Sequence, residues 1–208
     1  MNAETLTRAT DQTRERLLQS AFCEIHRNGF QGASVADILD STGLTKGALY
    51  HHFPTKHALG LAVIDEVIAG TIDRLVLEPI RSSANPVQAL LEVLLHLPDV
   101  LEADRLLLGC PLNNLMQEMS PLDETFRAHL NRILAEWRTV LRQAFETGQQ
   151  QGTVRADVDA EAAALFVLSA WEGCTGVAKS MQSTAAFKVC VGQLRHYVIG
   201  LMPDAHRA

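Results

Sequence analysis

Apolar positions recur at intervals of three and four along almost the whole chain, and no segment alternates with a period of two. Leu18, Ala21, Phe22 and Ile25 form a stripe between Asp11 and Asn28, and Gly29 is placed to end that helix. Val35, Ile38 and Leu39 mark a short second helix. Leu49 and Phe53, four apart, mark a third that Pro54 stops. A long helix opens at Thr55, carries Leu59, Val63, Ile64, Val67, Ile68, Ile72 and Leu75, and is predicted to end near Pro79. Asn85-Pro86, a cap followed by proline in the first turn, opens a helix that reaches Pro98. Residues 99 to 119 read as helical with a break at Gly109-Cys110-Pro111. Ser120-Pro121 opens a helix with Phe126, Leu130, Ile133, Trp137, Val140 and Ala144 inward, running to about Gln151 and ended by Gly152. Asp159 caps a helix through Val177, and the last helix, 184 to 201, shows Phe187, Cys190, Leu194, Tyr197 and Leu201. The expected fold is all-α, with about nine helices.

The segment from Ser34 to Lys56 carries the chemistry. Ser34 and Thr45 are helix N-caps, their hydroxyls able to accept a free backbone N–H. Gly43 can take the left-handed conformation that ends the first of the two helices, and Leu44 plugs the turn. Two short helices joined by such a turn make a helix-turn-helix. The outward face of the second presents Lys46, Gly47, Ala48, Tyr50, His51 and His52: donors and small residues suited to a DNA groove. Lys46 can reach a base edge or a phosphate. The Ala48 methyl can meet a thymine methyl, while Tyr50, either His51 or His52, and Lys56 are placed to contact phosphates.

The run from Gly43 through Lys56, with Arg14, Ala21, Gly29, Phe30, Ser34, Val35, Ile38 and Leu39 upstream, resembles the recognition segment of the TetR-like family of bacterial transcriptional regulators. The likeness covers roughly the first third of the chain. It implies a helix-turn-helix DNA-binding domain, residues 1–57, followed by a helical effector-binding and dimerisation domain, residues 58–208. It also implies a homodimer bound to double-stranded operator DNA, most often as a repressor that a small molecule releases. The rest of the chain resembles the family in length and helicity, with a fainter likeness around Gly109 to Leu112.

Composition agrees with a folded chain: 47% hydrophobic and 20% charged residues in 208. The net charge of −6 is not spread evenly. Up to residue 57, Arg8, Arg14, Arg16, Arg27, Lys46 and Lys56 balance Glu4, Asp11, Glu15, Glu24, Asp37 and Asp40, so the acidic excess lies beyond. Screening over about 10 Å keeps that excess from opposing phosphate binding at the other end. The longest apolar stretch late in the chain, between Glu161 and Glu172, is about ten residues, too short to span a bilayer. No basic-then-apolar leader pattern opens the chain. Four cysteines without paired spacing fit a reducing compartment, and the expected location is cytoplasmic, with Cys23, Cys174 and Cys190 as core residues.

Residues 162–171, Ala-Ala-Ala-Leu-Phe-Val-Leu-Ser-Ala-Trp, have little polar face, so the helix needs cover nearly all round. A two-fold interface through residues 159–201 supplies it and sets two recognition helices for two half-sites. His96, Cys110, Asn113, Asn114, Met116, Gln117, Phe126, Trp137 and Trp171 are the candidates to line an effector pocket, few polar groups among apolar ones. Cys110 is alternatively a redox or electrophile sensor, if a helix N-terminus lowers its pKa. No cofactor is expected. His51, His52 and His57 do not make a metal site, since adjacent helical histidines diverge by about 100°. No nucleophile–base pair or phosphate loop points to an enzyme. The rival class is a helical ligand-binding protein or enzyme with a vestigial DNA module.

Overall fold

The computed structural model of the chain describes residues 3–204, with side-chain surroundings from Asp11 onward. Among these it holds nine helices and one isolated helical turn, without strands. They are α1 (Ala3–Gly32), α2 (Val35–Asp40), α3 (Lys46–His52), α4 (56–81), α5 (Pro86–Val100), α6 (Pro111–Met119), α7 (Glu124–Gln150), α8 (Ala160–Met181) and α9 (Thr184–Gly200), with a single turn at Ala103–Leu106.

Local signals act as their chemistry demands. Gly29 has φ +77° and breaks α1 from its last turn. Gly43 has φ +65°, and its N–H bonds the carbonyl of Leu39 at 2.9 Å. Thr55 accepts the N–H of Ala58 at 2.9 Å, Asn85 that of Gln88 at 3.2 Å, and Asp159 that of Ala162 at 3.0 Å.

Other expectations shift. The helix from Pro86 continues through Pro98 to Val100, because a proline in the last turn forfeits only one ladder bond. The cap of α7 is Asp123, which accepts the N–H of Phe126 at 3.0 Å; Ser120 and Pro121 lie in the preceding turn. Helix α4 reaches Arg81 and widens into π turns at Val63–Ile68 and Asp73–Leu77. Pro79 follows the second, where the ladder is already out of α register, so its missing N–H does not stop the helix. Cys174 and Cys190 form a disulfide across α8 and α9, their Cα atoms 5.5 Å apart. Sequence spacing hides that pair, because packing of the two helices and not chain proximity brings the sulfurs together.

The chain divides into two compact units: Met1–Gly70 with Asn114–Leu130, and Thr71–Asn113 with Asn131–Ala208. In the first, α1 packs on α2, α3 and the start of α4. Leu17, Leu18, Ala21, Ile25, Ile38, Leu49, Phe53 and Leu59 form its buried centre, each of the larger side chains contributing about 1.5–3 kcal/mol by leaving water. In the second, α9 packs on α8 and on α5. Val87, Leu90, Trp137, Leu141, Phe145, Val167, Trp171, Phe187 and Val198 are buried there.

Candidate functional site

The helix-turn-helix is held from below by α1. Arg16 donates to the carbonyl of Thr42 at 2.7 Å, and Ser20 donates to that of Ile38 at 2.7 Å. Within the motif, Ser34 accepts the Asp37 N–H at 3.0 Å and donates to the Asp37 carboxylate at 2.6 Å, a reciprocal cap. The Thr42 hydroxyl donates to the Leu39 carbonyl and accepts the Leu44 N–H, which fixes the turn. Thr45 accepts the Ala48 N–H at 3.2 Å. With Leu49 fully buried underneath, the register of α3 is set by both its cap and its core side.

Arg14 adds a clamp. Its guanidinium forms two bonds to the Glu66 carboxylate, at 2.6 and 2.5 Å, and lies 5.1 Å from the Phe53 ring at the end of α3. Hydrogen bonding to Arg14 lowers the Glu66 pKa, and that same bond raises the arginine's. The fork therefore ties α1 to α4, with the Phe53 ring at the end of α3 against it.

The face left outward is the expected one. Lys46, Gly47, Tyr50 and His51 are exposed; Ala48 and His52 are half-buried. Burial, then the charges of His51 and Arg14, depress the His52 pKa, so it stands neutral at neutral pH. Gly47 has an ordinary helical conformation, and a Cβ there would meet only the Thr45 hydroxyl, at 3.7 Å. Nothing within the chain requires glycine at that position, although it costs a helix about 1 kcal/mol relative to alanine. The Lys56 ammonium reaches the Gln31 carbonyl at 3.3 Å and lies 4.7 Å from the Phe30 ring, leaving further N–H donors outward.

The first unit is closed by residues from far along the chain. Glu118, at the end of α6, receives the N–H groups of Phe30 and Gln31, each at 2.8 Å. Its carboxylate fills the place a Cβ would take on Gly29, 2.8 Å away, so Gly29 is required both by its φ and by this contact. Phe126 is fully buried, its ring 4.5 Å from Phe30 and 5.1 Å from His57. Gly60 lies against both phenylalanines, where a Cβ would sit 2.5 Å from Phe30 and 2.9 Å from Phe126. Asp123 joins His57 at 2.9 Å; the Phe126 N–H first, and His57 after it, hold its carboxyl below its usual range. Asp65 joins His129 at 2.8 Å.

The expected pocket residues fall into separate places. Asn114, Met116, Gln117 and Phe126 belong to the first unit; Asn114 and Met116 are half-buried and Gln117 is exposed. His96 is exposed, pairs with Glu92 at 3.3 Å, and borders an open groove of about 490 Å³ with Leu75, Pro79, Ala89, Val93 and Val100. Trp137 and Trp171 are buried edge to face, ring centres 5.3 Å apart, and the Trp137 indole N–H has no partner. Cys110 and Asn113 meet at a residue the sequence reading passed over, Glu172. The signal for it was present: one carboxylate in the middle of the otherwise apolar α8.

Burial and the adjacent Glu172 carboxyl push the Cys110 thiol well up, against the smaller opposing pull of the Asn113 and Leu112 N–H groups. The thiol form is therefore held at neutral pH, and the helix N-terminus does not activate it. Among the described residues no cluster of three or more histidine, cysteine or acidic side chains could hold a metal, and no helix is long and apolar enough to cross a membrane.

Comparison with known proteins agrees with this architecture. Residues 17–63 match the family model for bacterial regulatory proteins of the tetR family, and residues 86–194 match that of the tetracyclin repressor-like C-terminal domain. The HTH-type transcriptional repressor DhaR of Mycobacterium sp. is 27% identical over 172 residues, covering 79% of this chain and 81% of that protein. The transcriptional regulator AcuR of Cereibacter sphaeroides is 30% identical over 162 residues, 76% of this chain and 73% of that one. A TetR transcriptional regulator from Chloroflexus aurantiacus, of solved structure, superposes with a TM-score of 0.81 at 27% identity, over 94% of this chain and 98% of that one. With a capped helix-turn-helix at its N-terminus and a matching helical body behind it, the chain belongs to the TetR family and is a DNA-binding transcriptional regulator.

Proposed function

We propose that the chain is an effector-responsive repressor, acting as a homodimer whose two α3 helices read an operator. The observation that carries DNA reading is the bare outward face of α3. Gly47 serves no need of the fold, so its reason lies in what approaches from outside. A glycine there lets a phosphate backbone or base edge come close to the helix, with Lys46 and Tyr50 on either side. Several relatives carry the word repressor in their names, DhaR among them. Replacing Lys46 by alanine should weaken operator binding and lower the slope of log K against log salt by about 0.9, if the ammonium meets one phosphate. Fluorescence anisotropy across a salt series checks it. An unchanged slope with lost sequence preference would assign Lys46 to a base edge instead.

Dimerisation through residues 159–201 is supported by the outward stripe of α8. Ala162, Phe166, Ser169, Gly173, Val177 and Met181 follow at intervals of three and four, and all are exposed in the single chain. Val189 and Gln193 continue the exposed face on α9. An apolar helical stripe of this length is covered in a stable protein, and a second copy does so with two-fold symmetry.

Effector response is supported by the second unit's buried polar atoms without partners, at Glu172 and Trp137. Helix α6 offers the mechanical route. Its first turn carries Asn113, bonded to the Glu172 carbonyl at 3.3 Å, and its end carries Glu118, bonded to the backbone after Gly29. A ligand that favours a displaced α6 would loosen the Glu118 clip and change the seating of α1 beneath the reader. Release from DNA follows only if the ligand prefers that displaced state. Cys110 takes no part as a thiolate sensor in this reading, given its raised pKa.

A further inference from the structure

We infer that Glu172 is the anchor of a small-molecule site that takes an organic amine, an ammonium head on an apolar or aromatic body. The inference rests on reading the second unit as the effector-responsive one, and it names the class of effector.

Glu172 is only 7% exposed, on the packed side of α8, and neither carboxylate oxygen has a hydrogen-bond partner. The polar neighbours that could serve it are turned to its backbone instead. Thr175 donates its hydroxyl to the Glu172 carbonyl at 2.8 Å, and Asn113 donates an amide N–H to the same carbonyl at 3.3 Å. The remaining neighbour is the Cys110 thiol, a weak donor. The two buried acceptors thus have beside them only a weak thiol donor and a hydroxyl already committed to the backbone, a costly arrangement that a methionine of similar size would avoid. A ligand that brings donors removes the cost.

Charge selects the kind of donor. Burial is the first influence on the Glu172 carboxyl and raises it; the nearby Cys110 thiol and Thr175 hydroxyl offset that only in part, and no lysine, arginine or histidine acts on it. The site therefore carries an uncompensated negative charge whenever Glu172 ionises. An anionic effector would be repelled, and a single hydroxyl would satisfy one oxygen without neutralising it. A primary ammonium offers three N–H donors and cancels the charge.

Burial raises the Glu172 carboxyl to about 7. An ammonium binds the ionised form, whose share rises from roughly a tenth at pH 6 to roughly nine tenths at pH 8, so affinity should grow about tenfold across that interval. In the free protein the sign is opposite. The folded carboxyl holds its proton up to about 7 while the unfolded one ionises near 4.5, so the melting temperature falls as pH rises between those values.

The test is calorimetry on the full-length protein with benzylamine, benzyl alcohol and benzoate at pH 6 and pH 8, on wild type and on Glu172→Met. Benzylamine should bind wild type at least tenfold more tightly than benzyl alcohol at pH 8, with the pH dependence above, and benzoate should bind most weakly. Glu172→Met should lose the preference for the amine while melting higher than wild type at pH 8 and not at pH 5. The inference is overturned if benzylamine binds no better than benzyl alcohol, or if Glu172→Met keeps the preference. Its fate separates from that of the proposed function by DNA release. If the alcohol or benzoate frees DNA and the amine does not, effector response stands and the amine class falls. If the amine binds at Glu172 and leaves DNA affinity unchanged, the site stands and effector response through it falls.

Discussion

Gly173→Arg should yield a folded monomer that binds operator at least a hundredfold more weakly than wild type, by sedimentation and anisotropy. A Cβ at Gly173 meets nothing within 4 Å in the single chain, so the fold accepts the substitution. Helix propensity even favours arginine over glycine, by up to about 1 kcal/mol. In the proposed interface along the α8 stripe, the same position lies mid-stripe and would be covered by the partner copy. Each subunit would then bury an unpaired guanidinium group, which costs several kcal/mol. Loss of the dimer means that each half-site binds alone, so the gain from paired attachment disappears. A Gly173→Arg protein that remains dimeric would place the interface elsewhere. By contrast, charge at Leu194 is a poor probe, because that side chain is 4% exposed within the single chain and its replacement would unfold the monomer as well.

Phe126→Ala should destabilise the protein by about 3–5 kcal/mol, the cost of emptying a fully packed aromatic position. Phe126 is 0% exposed, in ring contact with Phe30 and His57 and seated against Gly60. Because those partners carry α1 and the start of α4, operator affinity should fall with no effector present. A residue lining an effector pocket would behave otherwise: ligand affinity would change while basal DNA binding held. Thermal denaturation and operator titration on the same variant tell the two apart. Unchanged basal DNA affinity and a stability loss under about 1 kcal/mol would return Phe126 to the pocket lining.

These two positions show where sequence reading succeeds and where it stops. Ser34, Gly43, Thr45 and Thr55 were legible because each satisfies or releases a backbone group within four residues of itself, and the structure shows those bonds. The outward face of α3 was legible for the same reason, once Leu49 and Phe53 set its inward side. Phe126 and Glu118 were not, since the partners that decide their roles lie roughly ninety residues away, at Phe30 and Gln31. Apolar periodicity marks Phe126 as inward without saying in which unit. The Cys174–Cys190 bond was hidden likewise, being set by the packing of α8 on α9. Glu172 was visible as the one charge in the middle of α8, away from Glu161 and Lys179 near its ends. Its open oxygens became evident only when Thr175 and Asn113 were found committed to the backbone carbonyl.

The acidic chain also reads differently with the structure in hand. Its exposed acids are largely met locally, as at Asp99 with Lys188 and Asp157 with Arg155, which hold both carboxyls below their usual range. Such exposed pairs contribute little stability.

In the proposed function two copies of α3 read two copies of one sequence. Selection of bound duplexes from a random double-stranded library, with the full-length chain and no added effector, tests it most directly. An enriched inverted repeat is expected, with half-sites spaced for one face of the helix and enrichment lost in Gly173→Arg. No enriched sequence, or a lone half-site bound as tightly as the pair, would contradict it.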